Sequence, residues 1–453
     1  VQKTVAWLGN RGVYLPNLDE EIVEEQLKLA HDQDVLRVLK IRQVLGFGSV
    51  KKLYKLRSMT GADRRLRDQY AFHGAHTALW NGQGVQMANL YKPGTAFQKP
   101  EAIERAFGVV ASQSLDYVEA TYGDALETLA NMLRSLVIAS PGHRLIMSDY
   151  SAIQAVVTAA LAGEKWRLDV FHTHGKIYEM CASMITGKTF QFYLDFKKEH
   201  GAHHPDRNPY GKIPELSAGF GSWVGGWKKF GAGDFMDDDE IKAAILKWRA
   251  ASPMIAELWG GQVRNKFQWD ERQELYGLEG AAISAVLDRG QTYGYRGIRY
   301  CVVDDVLYCK LPGDGEPLCY HEPRLEPSKR DYAKPFELDL SYMGWKSSSN
   351  GRGKGGWCRL PLYGGVLTQN GVAKVSREFQ ADALVACEQT GIYLPVMHTH
   401  DEVVTEVASG QGDLAEYLAI VNRGKPWAVD DWGRPWPVKA PGAEESHRYG
   451  KWE

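Results

Sequence analysis

The chain has 453 residues, 44% of them hydrophobic and 24% charged, with a formal net charge of −2. This composition is typical of a globular enzyme, and the length predicts two or three subdomains. No apolar run reaches transmembrane length, no secretory signal opens the chain, and six cysteines without CxxC or zinc spacing favour reduced cytoplasmic thiols. Because the chain starts at Val1 rather than Met, we expect a fragment or a trimmed product.

The first part of the chain is helical in pattern and basic. Apolar residues recur at helical spacing through residues 19–58, and the glycines on either side of Phe47 interrupt them before a helix predicted from Ser49. Between Leu36 and Arg67, ten Lys or Arg stand against one acid, Asp63. A basic run is usually a solvated helix face. Here the acidic balance of the remaining chain, together with the motifs described below, favours a surface that contacts phosphates.

The next segments alternate between irregular and regular patterns. Residues 70–93 lose periodicity and are rich in Gly, Gln and Asn, which suits extended backbone lying against a ligand. A helix is predicted at about 123–138, followed by a strand that ends at Asp149 and a buried helix over 152–162.

The second half predicts a helical part followed by strands. Residues 164–290 have a mostly helical pattern, and 291–326 turn strand-like. Residues 327–359 are polar and rich in Lys, Ser and Gly, which predicts an insertion or a flexible loop. A helix from about Thr368 to Gln389 then precedes a hairpin with His400 and Asp401 at its tip. These elements indicate an α+β fold.

Two carboxylate segments stand out, each with an aspartate at the end of an apolar, strand-like run. They are Leu145–Gln154, containing Asp149, and Val396–Val404, containing Asp401. Two such aspartates brought together would hold two divalent cations about 3.5–4 Å apart, the arrangement used for phosphoryl transfer. Between them, Lys212 has Leu216 and Phe220 four and eight residues later, on one helix face.

The order of these motifs resembles that of the family A DNA polymerases, in particular those of phages and prophages. Asp149-Tyr150-Ser151, then Lys212 with an aromatic-Gly pair eight residues on, then His400-Asp401-Glu402 resemble the family's three polymerase motifs. The segment from Trp80 to Leu90 looks like its primer-strand-binding segment. Tyr363 to Asn370 and Pro435 to Lys451 are also similar to phage sequences.

The resemblance implies a right-hand fold with an antiparallel palm sheet and helical fingers and thumb. The implied division is a thumb over 1–70, a first palm part over 71–163, fingers over 164–290 and a second palm part over 291–453. It also implies templated addition of dNTPs to a primer 3′-hydroxyl, with two Mg²⁺ (or Mn²⁺), in phage DNA replication in the host cytoplasm. The implied partners are primer-template DNA, dNTPs and replication accessory proteins, with no membrane and a monomeric state.

The resemblance also implies residue roles. Asp149, Asp401 and the Tyr150 carbonyl would hold the metals, and Lys212 would meet the triphosphate and protonate the leaving group. The implied nucleotide-binding residues are Gln154, Tyr178, Arg134, Arg207, Lys212, Leu216 and Phe220. The implied DNA-binding residues are His400, Glu402, Asn370, Gln86, Asn89, Lys51, Lys52, Lys55, Arg64 and Arg65. Glu402 is expected to be a supporting acid rather than a full metal ligand.

The chain departs from the family pattern in five places. Gln154 stands where most relatives have glutamate at the sugar gate. Leu79 stands where they have an arginine that contacts the primer terminus in the minor groove. Leu216 lacks the phenol hydroxyl that lets some relatives accept dideoxynucleotides, so we expect discrimination against them. Arg207 lies five rather than four residues before Lys212, and Pro214 requires the lysine helix to start near Tyr210.

Two other functions stay open. One is a single-subunit RNA polymerase-like enzyme, which Gln154 favours and Glu402 disfavours, because the last motif of those enzymes usually reads His-Asp-Ser. The other is a catalytically silent nucleic-acid-binding relative, which Leu79 favours. Retention of Asp149, Lys212, His400 and Asp401 together disfavours it. We expect no 3′–5′ exonuclease in this chain, since about seventy residues precede the primer-binding segment.

Overall fold

The computed structural model describes residues 2–46, 48–264, 273–313, 315–329, 337–346 and 355–450. The α-helices are α1 (Gln2–Gly9), α2 (Glu20–Leu29), α3 (Gln33–Gly46), α4 (Gly48–Met59), α5 (Pro100–Ala111), α6 (Leu115–Tyr122), α7 (Ala125–Met132), α8 (Ile153–Ala162), α9 (Lys165–Thr173), α10 (Ile177–Thr186), α11 (Phe190–His200), α12 (Ile213–Ser217), α13 (Val224–Lys229), α14 (Asp238–Ala251), α15 (Pro253–Trp259), α16 (Gly277–Leu287), α17 (Gly364–Gln389) and α18 (Leu414–Val421). The strands are β1 (Tyr70–Ala71), β2 (Asn81–Gly82), β3 (His143–Asp149), β4 (Gly261–Arg264), β5 (Gln273–Tyr276), β6 (Tyr293–Tyr295), β7 (Ile298–Val303), β8 (Val306–Lys310), β9 (Leu318–Pro327), β10 (Leu338–Lys346), β11 (Gly356–Pro361), β12 (Leu394–Thr399), β13 (Glu402–Ala408) and β14 (Glu444–Ser446).

A four-stranded antiparallel sheet in the order β12-β13-β3-β14 carries both predicted aspartates. Its central strand β3 is buried on both faces, since Ile146 packs into the largest core with α8, α17 and α18 while Leu145 and Met147 pack into a second core with Val85 and Tyr449. Successive strand residues point to opposite faces, so this continuous apolar run fills two cores at once. The strand that was predicted to end at Asp149 is confirmed.

A second, six-stranded antiparallel sheet runs in the order β11-β10-β9-β8-β7-β6 and packs against α16. Residues 327–359 were predicted to be an insertion or a flexible loop, and the flexible loop was wrong for the described part, because β10 and β11 belong to this sheet. Leu340 and Tyr342 alternate with less buried neighbours and are only 3% and 4% exposed. The polar residues flanking these short strands obscured the period-two signal. Residues 330–336 and 347–354 of the predicted loop lie outside the described residues.

The helical predictions hold with small shifts at the ends. Helices α2 to α4 confirm the helical pattern of 19–58, although Phe47 lies outside the described residues and α4 begins at Gly48. The predicted helix at 123–138 is α7 followed by a 3₁₀ turn, and α8 begins at Ile153. The stretch 164–290 is mostly helical, interrupted by the β4–β5 hairpin.

Helix α17 begins at Gly364, four residues before its predicted start, because two glycines allow close backbone contacts there. A Cβ atom on Gly364 would lie 2.0 Å from the Trp259 carbonyl oxygen, and one on Gly365 would lie 2.1 Å from that of Phe220. Only glycine permits such an approach. The start of α17 is thereby held against the segment that carries Lys212. Among the described residues, no helix combines the length and apolar character needed to span a bilayer.

Candidate active site

The two predicted aspartates lie in one cavity of about 540 Å³ between the four-stranded sheet, the Lys212 segment and α17. The walls also contain His400, Gln154 and Tyr178. The structure therefore brings together side chains that are up to 252 residues apart in the sequence.

Backbone contacts bring the two aspartates together. Asp149 ends β3, directly opposite Glu402 on β13, and the Tyr150 N–H donates a hydrogen bond to the Asp401 carbonyl at 3.2 Å. The chain turns sharply beside both aspartates, since Ala152 and His400 have φ of 48° and 55°. Left-handed backbone in a residue other than glycine costs about 1–3 kcal/mol and concentrates at functional sites. The predicted position of His400 at the hairpin tip is confirmed.

The donor set at this cavity fits a magnesium site completed by a substrate. Mg²⁺ is commonly bound by one or two carboxylates together with waters and substrate phosphates, rather than by an all-protein cage. Asp149 and Asp401 supply two carboxylates on one cavity. Across the part of the chain that the structure describes, no three His, Cys, Asp or Glu side chains form a metal-binding group. The remaining ligands would therefore have to come from main-chain carbonyls, water and substrate.

Glu402 is not placed where it can touch DNA, so that prediction is corrected. Its side chain is on the same sheet face as Asp149 but is only 2% exposed, and the Tyr449 hydroxyl donates to its carboxylate at 2.6 Å. Gln380 of α17 donates to its carbonyl at 3.0 Å. Burial raises the pKa of Tyr449, which keeps its hydroxyl a donor. These contacts hold the start of β13 beside Asp149.

The Lys212 segment is not one regular helix. It consists of a π-helical turn (Asn208–Lys212), the short α12 and a 3₁₀ turn (Ala218–Phe220). Pro214 lies in the first turn of α12, where its missing N–H costs no hydrogen bond. The preceding π-helical turn includes Tyr210, near which the helix was predicted to start. Leu216 and Phe220 line the cavity, so the predicted shared helix face holds for these two residues but not for Lys212. Lys212 is exposed and lies outside the cavity lining.

A buried ion pair that the sequence analysis did not predict fixes this segment. The Arg167 guanidinium donates to Glu215 at 2.5 Å, and the two side chains are 2% and 3% exposed. Arg167 also lies over the rings of Trp166 and Trp248 at 4.5 and 4.7 Å. The Trp248 indole donates to the second Glu215 oxygen at 3.2 Å. Both carboxylate oxygens are thus hydrogen-bonded, as a buried charge requires.

A smaller cavity of about 320 Å³ adjoins the first and shares Tyr178 with it. Four of its lining side chains have nitrogen atoms that can be protonated: Lys176, Lys197, His203 and Arg207. Arg207 lies 4.8 Å over the Tyr178 ring and pairs with Glu179 at 2.6 Å. The predicted residues Tyr178 and Arg207 are therefore together, although Arg207 faces this second cavity rather than the one with the aspartates.

Two predicted residues fall outside both cavities and are corrected. Arg134 donates to the carbonyls of Tyr91 and Leu90 at 3.1 and 3.2 Å, so it fastens that loop and does not line the nucleotide cavity. Asn370 is 2% exposed and donates to the Tyr320 hydroxyl at 3.1 Å, so its side chain is not available to DNA. In both residues, side-chain groups that were expected to bind nucleotide or DNA form hydrogen bonds within the protein instead.

Most of the side chains that were predicted to contact DNA lie at the protein surface. Lys51, Lys55, Arg64, Arg65, Gln86 and Asn89 are all exposed. Lys52 joins α4 to the 3₁₀ turn Met87–Asn89 by donating to the Asn89 carbonyl at 2.5 Å. Burial, and then the charge of Arg134, lowers the pKa of Lys52. Arg65 pairs with Glu406 of β13 at 2.7 Å, so the basic segment is tied to the four-stranded sheet.

An arginine inside an aromatic cluster is the main feature that the sequence analysis missed. Arg377 of α17 lies 5.4 Å from the ring centroids of both Phe72 and Trp80, and its guanidinium is 2.7 Å from His73 Nε2. Trp80 in turn lies 4.5 Å from the ring of His398, on the hairpin of Asp401. A charged residue in the middle of a largely buried helix could have signalled this site.

The chain is similar in sequence to a DNA polymerase of Bacillus phage SP02, with 32% identity over 424 residues, which is 93% of this chain and 59% of that protein. The chain therefore spans less than two thirds of the length of this relative. No known family profile matches the chain. Its structure is similar to the POL domain of Pol1 from M. smegmatis, solved in complex with DNA primer-template and dNTP, with a TM-score of 0.54, 11% identity and coverage of 97% of this chain and 57% of that one. The chain thus has the right-hand fold of a polymerase domain.

Proposed function

We propose that the chain is a template-directed DNA polymerase that adds dNTPs to a primer 3′-hydroxyl and releases pyrophosphate. The single observation that carries this proposal is the placement of Asp149 and Asp401 in one cavity beside the Lys212 segment. The sequence similarity to a phage DNA polymerase over 93% of the chain supports the same reaction. The alternatives, a single-subunit RNA polymerase-like enzyme and a silent binding protein, are outcomes of the experiment below.

One wall of the site would hold the metal ions, and another would position the incoming nucleotide. Asp149, Asp401 and the Tyr150 carbonyl would hold two Mg²⁺, which when bound lower the pKa of the primer hydroxyl and neutralise the charge of the phosphates. Leu216 and Phe220 would pack against the incoming nucleotide from the side of α12. This packing would align the nucleotide with the primer end, a positioning effect that supplies much of the catalysis in phosphoryl transfer.

The basic side chains would hold the triphosphate tail. Lys176, Lys197 and Arg207 border the adjoining cavity, and Ser151 and Tyr178 border both cavities. Lys212 is exposed, and its long, flexible side chain would carry its ammonium to the β- and γ-phosphates. There it would donate a proton to the departing pyrophosphate. Gln154 at the start of α8 would face the sugar and exclude a 2′-hydroxyl.

The division into thumb (1–70), palm (71–163 and 291–453) and fingers (164–290) is part of the proposal. The exposed side chains of Lys51, Lys55, Arg64 and Arg65 would bind duplex phosphates without reading sequence. We propose phage DNA replication as the setting, with primer-template DNA and dNTPs as partners and the bacterial cytoplasm as the location. The phage relative supports this setting.

The test is extension of a primer on a templated duplex with Mg²⁺, comparing dNTPs with rNTPs. Wild type should add the templated dNTP, and Asp401→Ala should lose more than about 100-fold in rate, because even partners of metal ligands are worth about 10- to 100-fold. Asp239→Ala is the matched control, since this aspartate side chain is 89% exposed on α14 and should leave the rate unchanged.

Each alternative has its own signature in this assay. Efficient templated addition of rNTPs would indicate the RNA polymerase-like enzyme. Duplex binding without extension of any kind would leave the binding protein. Equal extension by wild type and Asp401→Ala would overturn the assignment of the two aspartates.

A further inference from the structure

The six-stranded sheet has one buried face and one exposed face. Leu340 and Tyr342 of β10 are buried in the largest core together with Tyr320 of β9. Successive side chains of a strand point to opposite faces, so Met343 and Trp345 of β10 lie on the other, outer face. Trp345 is 57% exposed, whereas tryptophan is on average a highly buried residue. The outer face therefore presents a large aromatic surface to solvent.

Three aromatic rings lie side by side on this outer face. Trp345 and Trp357 are directly opposite each other on β10 and β11, and Trp357 is 61% exposed. Their ring centroids are 6.5 Å apart with an interplanar angle of 83°. The ring of His321, from β9, lies 6.4 Å from that of Trp357, also edge to face. Edge-to-face contacts of this kind stabilise the cluster, and more than half of each tryptophan remains accessible.

Two arginines flank these rings. Arg359 follows Trp357 by two residues on β11 and so shares its face. The side chain of Arg324, on β9, is 62% exposed. Both guanidinium groups lie near the Glu322 carboxylate, at 3.5 and 3.7 Å, so two positive charges against one negative charge leave a net charge of +1. We use the term aromatic sheet face for the surface made by Trp345, Trp357, His321, Arg324 and Arg359.

This combination of side chains suits an unpaired strand of nucleic acid. Single strands are bound by aromatic rings that stack on successive bases and by cations that contact the phosphates. Glu326 and Asp339 are acids on the outer face, opposite each other at the other end of β9 and β10. Asp339 is six residues from Trp345 along the strand, about 20 Å, a distance at which salt screens its repulsion of phosphates. The charge next to the rings therefore favours a polyanion.

The aromatic sheet face also lies close to the path of the unpaired template strand. In the proposed reaction, the template ahead of the primer end is single-stranded. The edge strand β11 leads through Leu362 to the start of α17, which is held against Phe220 of the main cavity. Trp357 lies four residues before Pro361, about 13 Å along the strand. A template strand that leaves the main cavity past Phe220 would reach the rings within a short distance.

We infer that the aromatic sheet face binds the unpaired template strand ahead of the primer end, with bases stacked on Trp345 and Trp357 and phosphates at Arg324 and Arg359. The inference rests on the proposed polymerase function. It adds a binding site outside the cavity that contains the two aspartates. Because every base has a π-face, this site holds a template of any sequence.

The experiment measures the dissociation constant of primer-template duplexes by fluorescence anisotropy, without dNTP. One duplex has a template 5′ overhang of about 2 nucleotides, and a second has about 16, the upper site size of a single-strand-binding domain. Wild type should bind the long overhang about tenfold or more tightly, since each stacked base contributes about 5- to 150-fold in affinity. In a third duplex, a complementary strand covers the outer part of the long overhang, and its affinity should return to that of the first.

Variants assign the effect to individual side chains. Trp345→Ala and Trp357→Ala should each reduce the advantage of the long overhang about fivefold or more, with unchanged affinity for the short one. Trp357→Phe keeps a ring and should retain most of the advantage. Trp432→Ala is the matched control, because Trp432 is 44% exposed but lies outside the sheet, and it should behave as wild type. Arg324→Ala should lower the salt-dependence slope for the long overhang by about 0.7.

The outcomes separate this inference from the proposed function. A wild type that extends primers but binds both overhangs equally overturns the inference, whether or not the variants fold. An undiminished advantage in a Trp345→Ala, Trp357→Ala double variant that still binds the short overhang overturns it as well. So does a fork with a fully paired template in which a tail on the non-template strand alone restores the tryptophan-dependent gain. A wild type that binds duplexes but adds no nucleotide overturns the proposed function instead.

Discussion

The buried Arg167–Glu215 pair gives the sharpest stability prediction. Replacing Glu215 by Gln keeps the shape of the side chain but removes the charge that compensates a guanidinium only 2% exposed. Removing one partner of a buried ion pair costs about 3–5 kcal/mol, because an uncompensated charge stays in a medium of low polarity. The Gln amide can still accept from the Trp248 indole, so we expect the lower end, about 3 kcal/mol.

Thermal melting and urea unfolding would measure this effect. For a chain of 453 residues, about 3 kcal/mol corresponds to a fall in Tm of about 3 °C. The matched control is Asp238→Asn, which breaks a surface pair with Lys228 whose side chains are 55% and 47% exposed. That variant should stay within about 0.5 kcal/mol of wild type. Similar losses in both variants, or a Glu215→Gln protein as stable as wild type, would refute the reasoning.

The same pair should also affect nucleotide binding. Glu215 lies next to Leu216 in α12, and both line the main cavity. Loosening α12 should therefore raise the KM for dNTPs more than it lowers kcat, because the contacts position the nucleotide before the chemical step. A double replacement, Arg167→Met with Glu215→Leu, removes both charges and should recover most of the lost stability. The two single variants and the double variant form a cycle that isolates the coupling energy.

Three further predictions follow from other parts of the structure. Gln154→Ala should raise the relative kcat/KM for rNTPs about 10- to 100-fold if Gln154 excludes the 2′-hydroxyl, and an unchanged ratio would move the sugar gate elsewhere. Lys51→Ala and Lys55→Ala should each weaken duplex binding and reduce the salt-dependence slope by about one, whereas a phosphate-independent surface would leave the slope unchanged. Burial lowers the pKa of His398 to about 4, below its unfolded value of about 6.5. The wild type should therefore lose up to about 3 kcal/mol as pH falls from 6.5 to 4, and His398→Phe should remove this acid sensitivity in pH-dependent unfolding.

Sequence patterns were sufficient to predict a helix or strand where the segment's own apolar residues show which face is buried. Three predicted elements are present in the structure: the strand that ends at Asp149, the helices within residues 19–58 and the hairpin with Asp401 at its tip. These predictions work because an apolar run or a helical period reports which face of a segment is buried. The resemblance of the motif order to that of the family A polymerases also implied that the two aspartates lie together.

Features that depend on partners far away in the chain were not predictable. Strands β10 and β11 pair with the six-stranded sheet, but the polar residues that flank them in the sequence concealed their alternating pattern. Arg134 and Asn370 have the residue types expected of a binding site, but the fold engages their polar atoms internally. Residue type alone does not reveal which way a side chain is directed.

The sequence by itself determined the order of the motifs, the strand ends that present Asp149 and Asp401, and the helical path of the Lys212 segment. The tertiary structure alone decided that Arg377 reaches the same cavity from α17, and that Arg167 and Glu215 meet beneath it. The physical reason is that hydrogen bonds and ion pairs between distant segments depend on side-chain geometry after packing. Sequence periodicity reports burial, but it contains no record of which buried groups come into contact.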